Sequence, residues 1–329
     1  MAASPAPTST PHLGVVIVTY NAADVIADCL RALQAARGVV LHVVVVDNAS
    51  RDHTNTVVRE TVGPALLPPA QAGAPGIALI KAGVNGGFAA GINLGLERLA
   101  RVPEIDRFWL LNPDCIAPPD TARQLASYGA DDAQIGMIAH RVVYADKPEM
   151  IQIDGGTIDQ RTGITHNINQ FADRDTPAPN AARIEFVTGA SLIATRAFYE
   201  AAGPLAEDYF LYYEEVDWAL RRGTLRIAYC PDAVVLHKAG SAIGSQRLGS
   251  VASPFSQYFK HRARAMFLRR HFRPGLIGGM FWSLAKAVQL ILQGHGAEAR
   301  ALLRGYFGLA PPAAVLAALS PEARERIGR

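Results

Sequence analysis

The sequence predicts an α/β fold, a mostly parallel central sheet flanked by helices, followed by a C-terminal helical extension. Three observations carry this. Val15-Val16-Ile17-Val18 and residues 41–46 are solid apolar runs, the pattern of strands buried on both faces. Between them Val25, Ile26, Cys29, Leu30 and Leu33 recur at three- and four-residue spacing, and a strand–helix–strand order of this length is a right-handed parallel unit. After Gly244 the texture changes to long amphipathic helices over residues 255–271, 276–293 and 297–309.

The first strand runs out in Thr19-Tyr20-Asn21, and the helix after it spans 22–37 before Gly38 stops it. The second strand ends in Asp47-Asn48-Ala49-Ser50, and residues 54–62 read as a short helix. Residues 63–76, crowded with Pro, Ala and Gly, are a loop before a short strand at 77–80. Asn85-Gly86-Gly87-Phe88-Ala89-Ala90-Gly91-Ile92-Asn93 then opens a helix running to residue 100. Glycines at a helix N-terminus let backbone N–H groups approach a phosphate closely. They do not follow the first strand, so they are no dinucleotide fingerprint.

Phe108-Trp109-Leu110-Leu111 is a buried strand, and Asn112-Pro113-Asp114 takes the chain out of the sheet, because Pro cannot continue a central strand. A helix at 118–128, a strand at 135–138, hairpins over 141–180, a strand at 186–194 and a helix at 196–202 follow. Residues 208–223 set Glu214, Glu215 and Asp217 among aromatics at a helix start. Strands at 227–230 and 234–238 complete the sheet, the second carrying His237.

Ligands of an open α/β sheet sit outside the carboxyl ends of its strands. Asp114 is a carboxylate just past such an end, where it can anchor a divalent ion bound to substrate phosphates. The acids at 214–217 have two readings. They complement a helix dipole, or their burial among aromatics tunes a general base. His237 taken alone reads as structural.

Composition narrows the field. The net charge of +3 over 329 residues is too small to argue for nucleic acid. Three cysteines, Cys29, Cys115 and Cys230, lie far apart without zinc spacing and point to a reducing compartment. Residues 1–10, rich in Ala, Ser, Pro and Thr, read as a disordered tail rather than a signal peptide. No uninterrupted apolar run of about 18 residues exists, so no membrane-spanning helix is expected.

Taken in order, Val-Thr-Tyr-Asn (18–21), Val-Asp-Asn-Ala-Ser (46–50), the Asn-Gly-Gly stretch at 85–93, Leu-Leu-Asn-Pro-Asp (110–114), Tyr-Glu-Glu-Val-Asp-Trp (213–218) and His-Lys-Ala-Gly-Ser (237–241) form an ordered set. From Gly14 to Gly244 that set resembles glycosyltransferase family 2 enzymes of the Rossmann-like GT-A fold, and among them a bacterial rhamnosyltransferase-like branch. The resemblance implies a disordered tail over 1–12, a GT-A domain over 13–250 and a C-terminal helical region over 251–329. It implies an inverting transferase that moves a sugar, such as the deoxyhexose rhamnose, from a nucleoside diphosphate to a glycan or lipid-linked acceptor in cell-surface polysaccharide synthesis.

By position, the resemblance makes Thr19, Tyr20, Asn21, Asp47, Asn48, Ser50, Asn85, Gly87 and Asn112 the nucleotide-sugar residues, with Asp47 reading a base edge. Asn112-Pro113-Asp114 stands where relatives have an Asp-x-Asp metal motif, its first Asp replaced by Asn. Asp114 and His237 would hold the divalent metal, Mg²⁺ or Mn²⁺. Glu215 and Asp217 would be the catalytic carboxylates. Glu-Glu-x-Asp replaces the usual Glu-Asp-x-Asp, which leaves the base between them, with Glu215 at the base position.

Two rival classes are a nucleotidyltransferase and a non-catalytic sugar-nucleotide binder. The first would carry a glycine- and basic-rich loop after the first strand, which is absent. Residues 260–273 hold six Lys or Arg and two His with no acid. With Phe259, Met266, Phe267, Leu268, Ile277, Met280, Phe281 and Trp282 they read equally as a basic amphipathic surface for anionic lipid or as an appendage packed on the catalytic domain. The expected location is cytoplasmic, with peripheral contact at the inner face of the membrane under the first reading.

Overall fold

The computed structural model describes residues 10–238 and 251–327. Residues 1–9 of the expected tail, residues 239–241 of the His-Lys-Ala-Gly-Ser stretch, and residue 250 at the expected domain boundary lie outside the described residues.

The elements run β1 (His12–Thr19), α1 (Ile26–Gln34), β2 (Val40–Asp47), α2 (Thr54–Val62), β3 (Leu66–Leu67), β4 (Gly76–Lys81), α3 (Phe88–Leu99), β5 (Arg107–Leu111), β6 (Cys115–Ile116) and α4 (Thr121–Ser127). Next come β7 (Ile135–Tyr144), β8 (Lys147–Ile153), β9 (Gly156–Asp159), β10 (Ile164–Asn167), β11 (Ser191–Thr195), α5 (Arg196–Ala202), α6 (Glu214–Leu220) and β12 (Arg226–His237). The C-terminal helices are α7 (Pro254–His271), α8 (Gly275–Leu292), α9 (Gly296–Tyr306), α10 (Ala313–Ala317) and α11 (Pro321–Ile327).

The main sheet is ordered β3-β4-β2-β1-β5-β11-β7-β12-β6, with β8 paired to β7. Neighbours from β3 to β5 are parallel, β11 runs antiparallel to β5 and β7, and β7 and β12 are parallel. The chain builds outward from β1 to β2 and β4, then returns across β1 to β5. That reversal opens a crevice at the carboxyl ends of β1 and β5, and Thr19 and Asn112 stand at those ends. Val15, Val16 and Ile17 on β1 are fully buried, as a strand covered by helices on both faces requires.

The structure departs from the sequence expectations in ways that have physical causes. β1 starts at His12, inside the expected tail, where His12 Nδ1 meets His42 Nε2 at 2.9 Å. The strand expected at 135–138 runs on to Tyr144, fully buried, because its polar members are partnered: His140 with Ser191 Oγ at 2.7 Å and Arg141 with Asp154 at 2.7 Å. The strand expected at 186–194 begins only at Ser191. The two strands expected over 227–238 are one, β12, with a register shift between Cys230 and Val234. Pro231 and Asp232 fill that irregularity, and Pro lacks the N–H a ladder needs.

The C-terminal helices share the core of the sheet. Ala263 and Phe267 of α7 belong to the same buried cluster as Val16, Leu110 and Trp218. Phe255, Tyr258 and Phe259 form another with Phe210, Val315 and Leu319. Phe259, Phe267 and Leu268, expected as lipid-facing under one reading, are therefore fully enclosed by protein. α8 differs. It buries the small side, Gly275, Gly279, Ser283 and Ala287, and exposes Ile277, Phe281, Val288 and Ile291. Against the expectation of no spanning helix, α8 is long and apolar enough to cross a membrane by length and composition. The sequence window missed it because Ser283 and Lys286 interrupt the apolar run.

Candidate active site

A cavity of about 170 Å³ lies at the crevice. Tyr20, Asn21, Asn48, Asn85, Gly87, Asn112 and Asp114 line it, so seven of the expected site residues meet there. Thr19 and Asp47 are buried beneath, with Thr19 Oγ1 donating to Asp47 Oδ1 at 3.3 Å and Asn55 Nδ2 to Asp47 Oδ2 at 2.9 Å. Ser50 Oγ accepts the Asn21 N–H at 3.0 Å, and Asn21 Oδ1 accepts the Arg51 N–H at 2.8 Å. These two bonds hold Asn21 at φ +52, a conformation that Asn tolerates.

Asn48 ties the floor together. Its Nδ2 donates to Asn85 Oδ1 at 3.0 Å and to the Gly87 carbonyl at 2.9 Å. Three N–H groups at the entry to α3, where a phosphate approach is expected, have partners within the protein. Gly86 N donates to Asn48 Oδ1, Gly87 N to Asn85 Oδ1 and Phe88 N to the Phe210 carbonyl. Those donors are spent inside the protein. Gly87 has φ +90, and a Cβ there would collide with the Phe210 carbonyl oxygen. Glycine thus lets the 210–213 segment close on the crevice.

Three of that segment's residues, Phe210, Tyr212 and Tyr213, have positive φ near +70. Bulky side chains rarely adopt this region, and such strain persists only where packing enforces it. Tyr213 is 4 % exposed, with its hydroxyl donating to the Gly163 carbonyl at 2.7 Å. The segment delivers the acids of α6 to three different settings.

Glu214 is 1 % exposed, and burial, with the Glu215 charge beside it, pushes its carboxyl well above the usual carboxylate range. Burial also raises Glu215, opposed by the N–H groups of Glu215, Gly189 and Val216 and by the Lys260 charge. Glu215 rests on Gly189 and beside Phe88, which lines the cavity. The next residue, Ala190, accepts the Asn112 N–H at 2.9 Å, which ties the Gly189 segment under Glu215 to the Asn112-Pro113-Asp114 turn.

Asp217 is fully buried. Burial raises its carboxyl, but the His271 hydrogen bond together with Arg221 and Arg270 outweighs this and leaves it lowered. Tyr209 Oη at 3.2 Å, Arg221 Nε at 3.0 Å, Arg270 at 3.2 Å and His271 Nε2 at 2.7 Å surround it. Of the expected catalytic and metal residues, Glu215, Asp217 and His237 are not among those that line the cavity, and what sets Asp217 apart from Glu215 is that both its oxygens are engaged.

At the far end of the crevice β12 brings His237 Nε2 to 3.2 Å from Asp114 Oδ1. His237 Nδ1 lies 2.8 Å from Gln152 Oε1, an atom that only accepts, so Nδ1 carries the proton. With Nδ1 carrying its proton, Nε2 is the ring nitrogen left to face the carboxylate, and in the neutral ring it turns a lone pair toward that oxygen. Two acceptors converging in this way suit a cation between them, and two ligand atoms each about 2.1 Å from one ion lie about 3 Å apart when adjacent. Asp114 and His237 fit a Mg²⁺- or Mn²⁺-class ion. Cys115 Sγ is close to both. It donates to the Ala190 carbonyl at 3.2 Å, and burial with the Asp114 charge raises it well above the usual thiol range. A neutral thiol is no ligand for a hard cation.

Sequence reasoning missed part of the cavity wall. Phe210, Leu211, Phe255, Ala318 and Leu319 close it, the last three from the C-terminal region. Their apolar spacing carries no chemical signal, and only tertiary packing brings them there. Gln152 and Lys260 were likewise unreadable.

A mostly parallel sheet with a crevice at its switch point is an architecture that nucleotide-dependent transferases use. The comparisons agree. The Glycosyl transferase family 2 profile matches residues 14–176. An N-acetylglucosaminyl-diphospho-decaprenol L-rhamnosyltransferase of Mycobacterium tuberculosis is 22% identical over 277 residues, covering 79% of this chain and 84% of that protein. A mannosyltransferase of Pyrobaculum calidifontis, solved with GDP-Man and Mn²⁺, superposes with TM-score 0.53 at 17% identity, covering 96% of this chain and 81% of that one. GalNAc-T7, solved with UDP, GalNAc and Mn²⁺, superposes with TM-score 0.51 at 12% identity, covering 80% of this chain and 48% of that one. The chain belongs to glycosyltransferase family 2 and has the GT-A fold.

Proposed function

We propose that this glycosyltransferase is an inverting, metal-dependent enzyme that moves a hexose, such as the deoxyhexose rhamnose, from a nucleoside diphosphate to a hydroxyl of a glycan or lipid-linked acceptor. The observation that carries the proposal is the 3.2 Å approach of His237 to Asp114 beside a cavity lined by Tyr20, Asn21, Asn48, Asn85 and Asn112. The sugar and the lipid-linked acceptor are supported by the rhamnosyltransferase relative. Exposed Ile277, Phe281, Val288 and Ile291 on α8 support peripheral contact at the inner face of a membrane.

Asp114 and His237 would hold the divalent ion, which when bound would neutralise charge on the leaving diphosphate. Tyr20 and Asn21 at the end of β1, with Asn48 and Asn85, bind the nucleotide and fix its place in the crevice. Glu215 takes the proton of the acceptor hydroxyl as it attacks. A sugar hydroxyl is a poor nucleophile, and a carboxylate with a raised pKa is a stronger base for it than an ordinary one. Attack from the face opposite the leaving group inverts the anomeric centre. Asp217 is a positioning residue that ties α6 to the end of α7.

The test uses a panel of nucleotide sugars with and without Mn²⁺, measuring both binding and donor consumption. Metal-stimulated consumption of one donor in the presence of acceptor is expected. Tight donor binding with no consumption for any acceptor would favour the binder reading instead.

A further inference from the structure

The segments that carry Asp114 and His237 are gripped from outside the sheet by α1. Lys238, the residue after His237, takes part with both its backbone and its side chain. Its N–H donates to the Asp114 carbonyl at 3.0 Å. Its Nζ lies 2.6 Å from Asp28 Oδ2, in the first turn of α1. β6 strengthens the same junction, because Cys115 and Ile116 pair with His237 and Leu236. The next residue of α1, Cys29, is buried, and its Sγ–H donates to the Asn112 carbonyl at 3.7 Å. Burial, with the Asp114 charge behind it, pushes that thiol up, so it keeps its proton and can donate.

These contacts form a closed circuit. It runs from Asp28 along the Lys238 side chain to the Lys238 N–H, across to Asp114, back through the turn to Asn112, and through Cys29 to Asp28. For the end of β12 to move away from the Asp114 turn, the circuit must open. The same helix also follows the nucleotide wall. Ala22 and Val25 line the cavity, and the Ala22 carbonyl accepts the Val25 and Ile26 N–H groups at the entry to α1. One helix therefore fixes the wall after β1 and the pair at the ends of β5 and β12.

The Lys238 ammonium is engaged by Asp28, whose side chain is 46 % exposed. A half-exposed ion pair contributes little to stability. Its effect on a metal site is of another size. Two ligand atoms of one ion must stay about 3 Å apart, and losing a group that orients metal ligands costs about tenfold to a hundredfold in metal affinity.

We propose that Lys238 and Asp28 are positioning residues for the divalent ion, a tie that keeps His237 at Asp114 by fastening the end of β12 to α1. The proposal rests on the reading of Asp114 and His237 as the metal pair, and it adds two residues outside the ligand set.

The test titrates Mn²⁺ by paramagnetic resonance of the free ion, alone and with UDP, GDP or dTDP. The same nucleotides are titrated by calorimetry in EDTA. Lys238→Met should weaken Mn²⁺ binding about tenfold. Nucleotide affinity in EDTA and the urea midpoint should hardly move. Asp28→Ala should behave alike, and the double variant should be no worse than either single one, because the two residues act as one unit. Lys238→Arg should recover most of the loss. Arg101→Met breaks a more exposed pair, Arg101 with Glu97 on α3, and should leave Mn²⁺ binding as it is. Unchanged Mn²⁺ affinity in Lys238→Met and Asp28→Ala would overturn the proposal, and so would losses that add in the double variant. If nucleotide affinity in EDTA falls while Mn²⁺ affinity holds, Lys238 is a phosphate contact and the tie is wrong. The metal reading fails by a different result. A wild type that binds Mn²⁺ no better than Asp114→Ala, with or without nucleotide, removes the metal pair and the tie with it. A wild type that does bind, beside an unaltered Lys238→Met, removes the tie alone.

Discussion

The two sides of the crevice, proposed for donor and acceptor, are built differently. Around β1, β2 and β5 the walls are neutral amides and backbone: Asn48 bridges Asn85 and Gly87, Asn21 bridges Ser50 and Arg51, and Gly87 admits the Phe210 carbonyl. Around α6 and α7 the structure is held by charge: Asp217 gathers Arg221, Arg270 and His271, and the Lys260 charge holds the Glu215 pKa down against burial. Amide networks fix shape at any pH and do not disturb neighbouring carboxylates. Charge networks set the protonation of what lies beside them. Under the proposed function the first half recognises the nucleotide and the second handles the proton, and that division can be broken from either side.

The largest effect should come from Glu215→Gln, which keeps shape and removes basicity. Transfer should fall about a hundredfold or more while donor affinity holds. Steady-state rates and donor titration on one preparation check both. The acid limb of the wild-type rate should sit above the ordinary carboxylate range, because a base with a raised pKa is protonated, and idle, until higher pH. Near-normal turnover in Glu215→Gln would remove proton handling from this half.

Next comes the donor side. Asp114→Ala should weaken Mn²⁺-dependent donor binding about tenfold to a hundredfold, judged from what lesser changes around metal ligands cost. Calorimetry with and without Mn²⁺ measures it. If metal dependence survives, His237 and Asp114 share a hydrogen bond and not an ion.

What the sequence showed and what it hid follow the same division. β1 and β2 were legible because runs of Val and Ile buried on both faces carry little else. Asp114 was legible because a carboxylate stood where an apolar run stopped, whereas Asn85, Gly87 and Asn112 were singled out by the family resemblance. β7 was half hidden, since buried His140 and Arg141 look like surface residues until Ser191 and Asp154 are seen beside them. α7 stood between two readings, a lipid-facing surface and a packed appendage, and its enclosed Arg264 belongs to the second. The apolar cap from Phe255 and Leu319 could not be seen, because nothing local distinguishes a side chain that closes a cavity from one that fills a core.

A smaller effect on turnover is expected from Asp217→Ala. Its carboxylate is buried among three basic partners, and removing one member of such a group costs about 3–5 kcal/mol. Denaturant unfolding should show that loss, while the rate per folded molecule at moderate temperature stays within about threefold, as for a residue that positions rather than reacts. The lowered Asp217 pKa adds a sign. Its stabilising share is present above the unfolded carboxylate pKa and is lost as pH falls through the folded value, so wild type and variant should converge in stability in acid. A dead but stable Asp217→Ala would exchange the roles of Asp217 and Glu215.

The smallest change should be Glu214→Gln, and it tests how far the charge-built half is partitioned residue by residue. Glu214 is buried beside Glu215, and its Oε1 has no hydrogen-bond partner among the described residues. Burial and the Glu215 charge push Glu214 well above the usual carboxylate range, while N–H groups and the Lys260 charge hold Glu215 down, so of the two Glu214 is the one whose protonated form is favoured. Glutamine matches that neutral form. Turnover should therefore stay within about twofold and the acid limb should not move. Stability separates the two proteins in the other direction. A carboxyl whose folded pKa is raised contributes fully below its unfolded pKa, and that contribution is lost as pH rises through the folded value. Wild type should thus lose stability relative to Glu214→Gln as pH rises from acid to neutral and above, and the two should match most closely in acid. Should the acid limb instead drop by about a unit in Glu214→Gln, one proton is shared between the two glutamates, and the base is the pair.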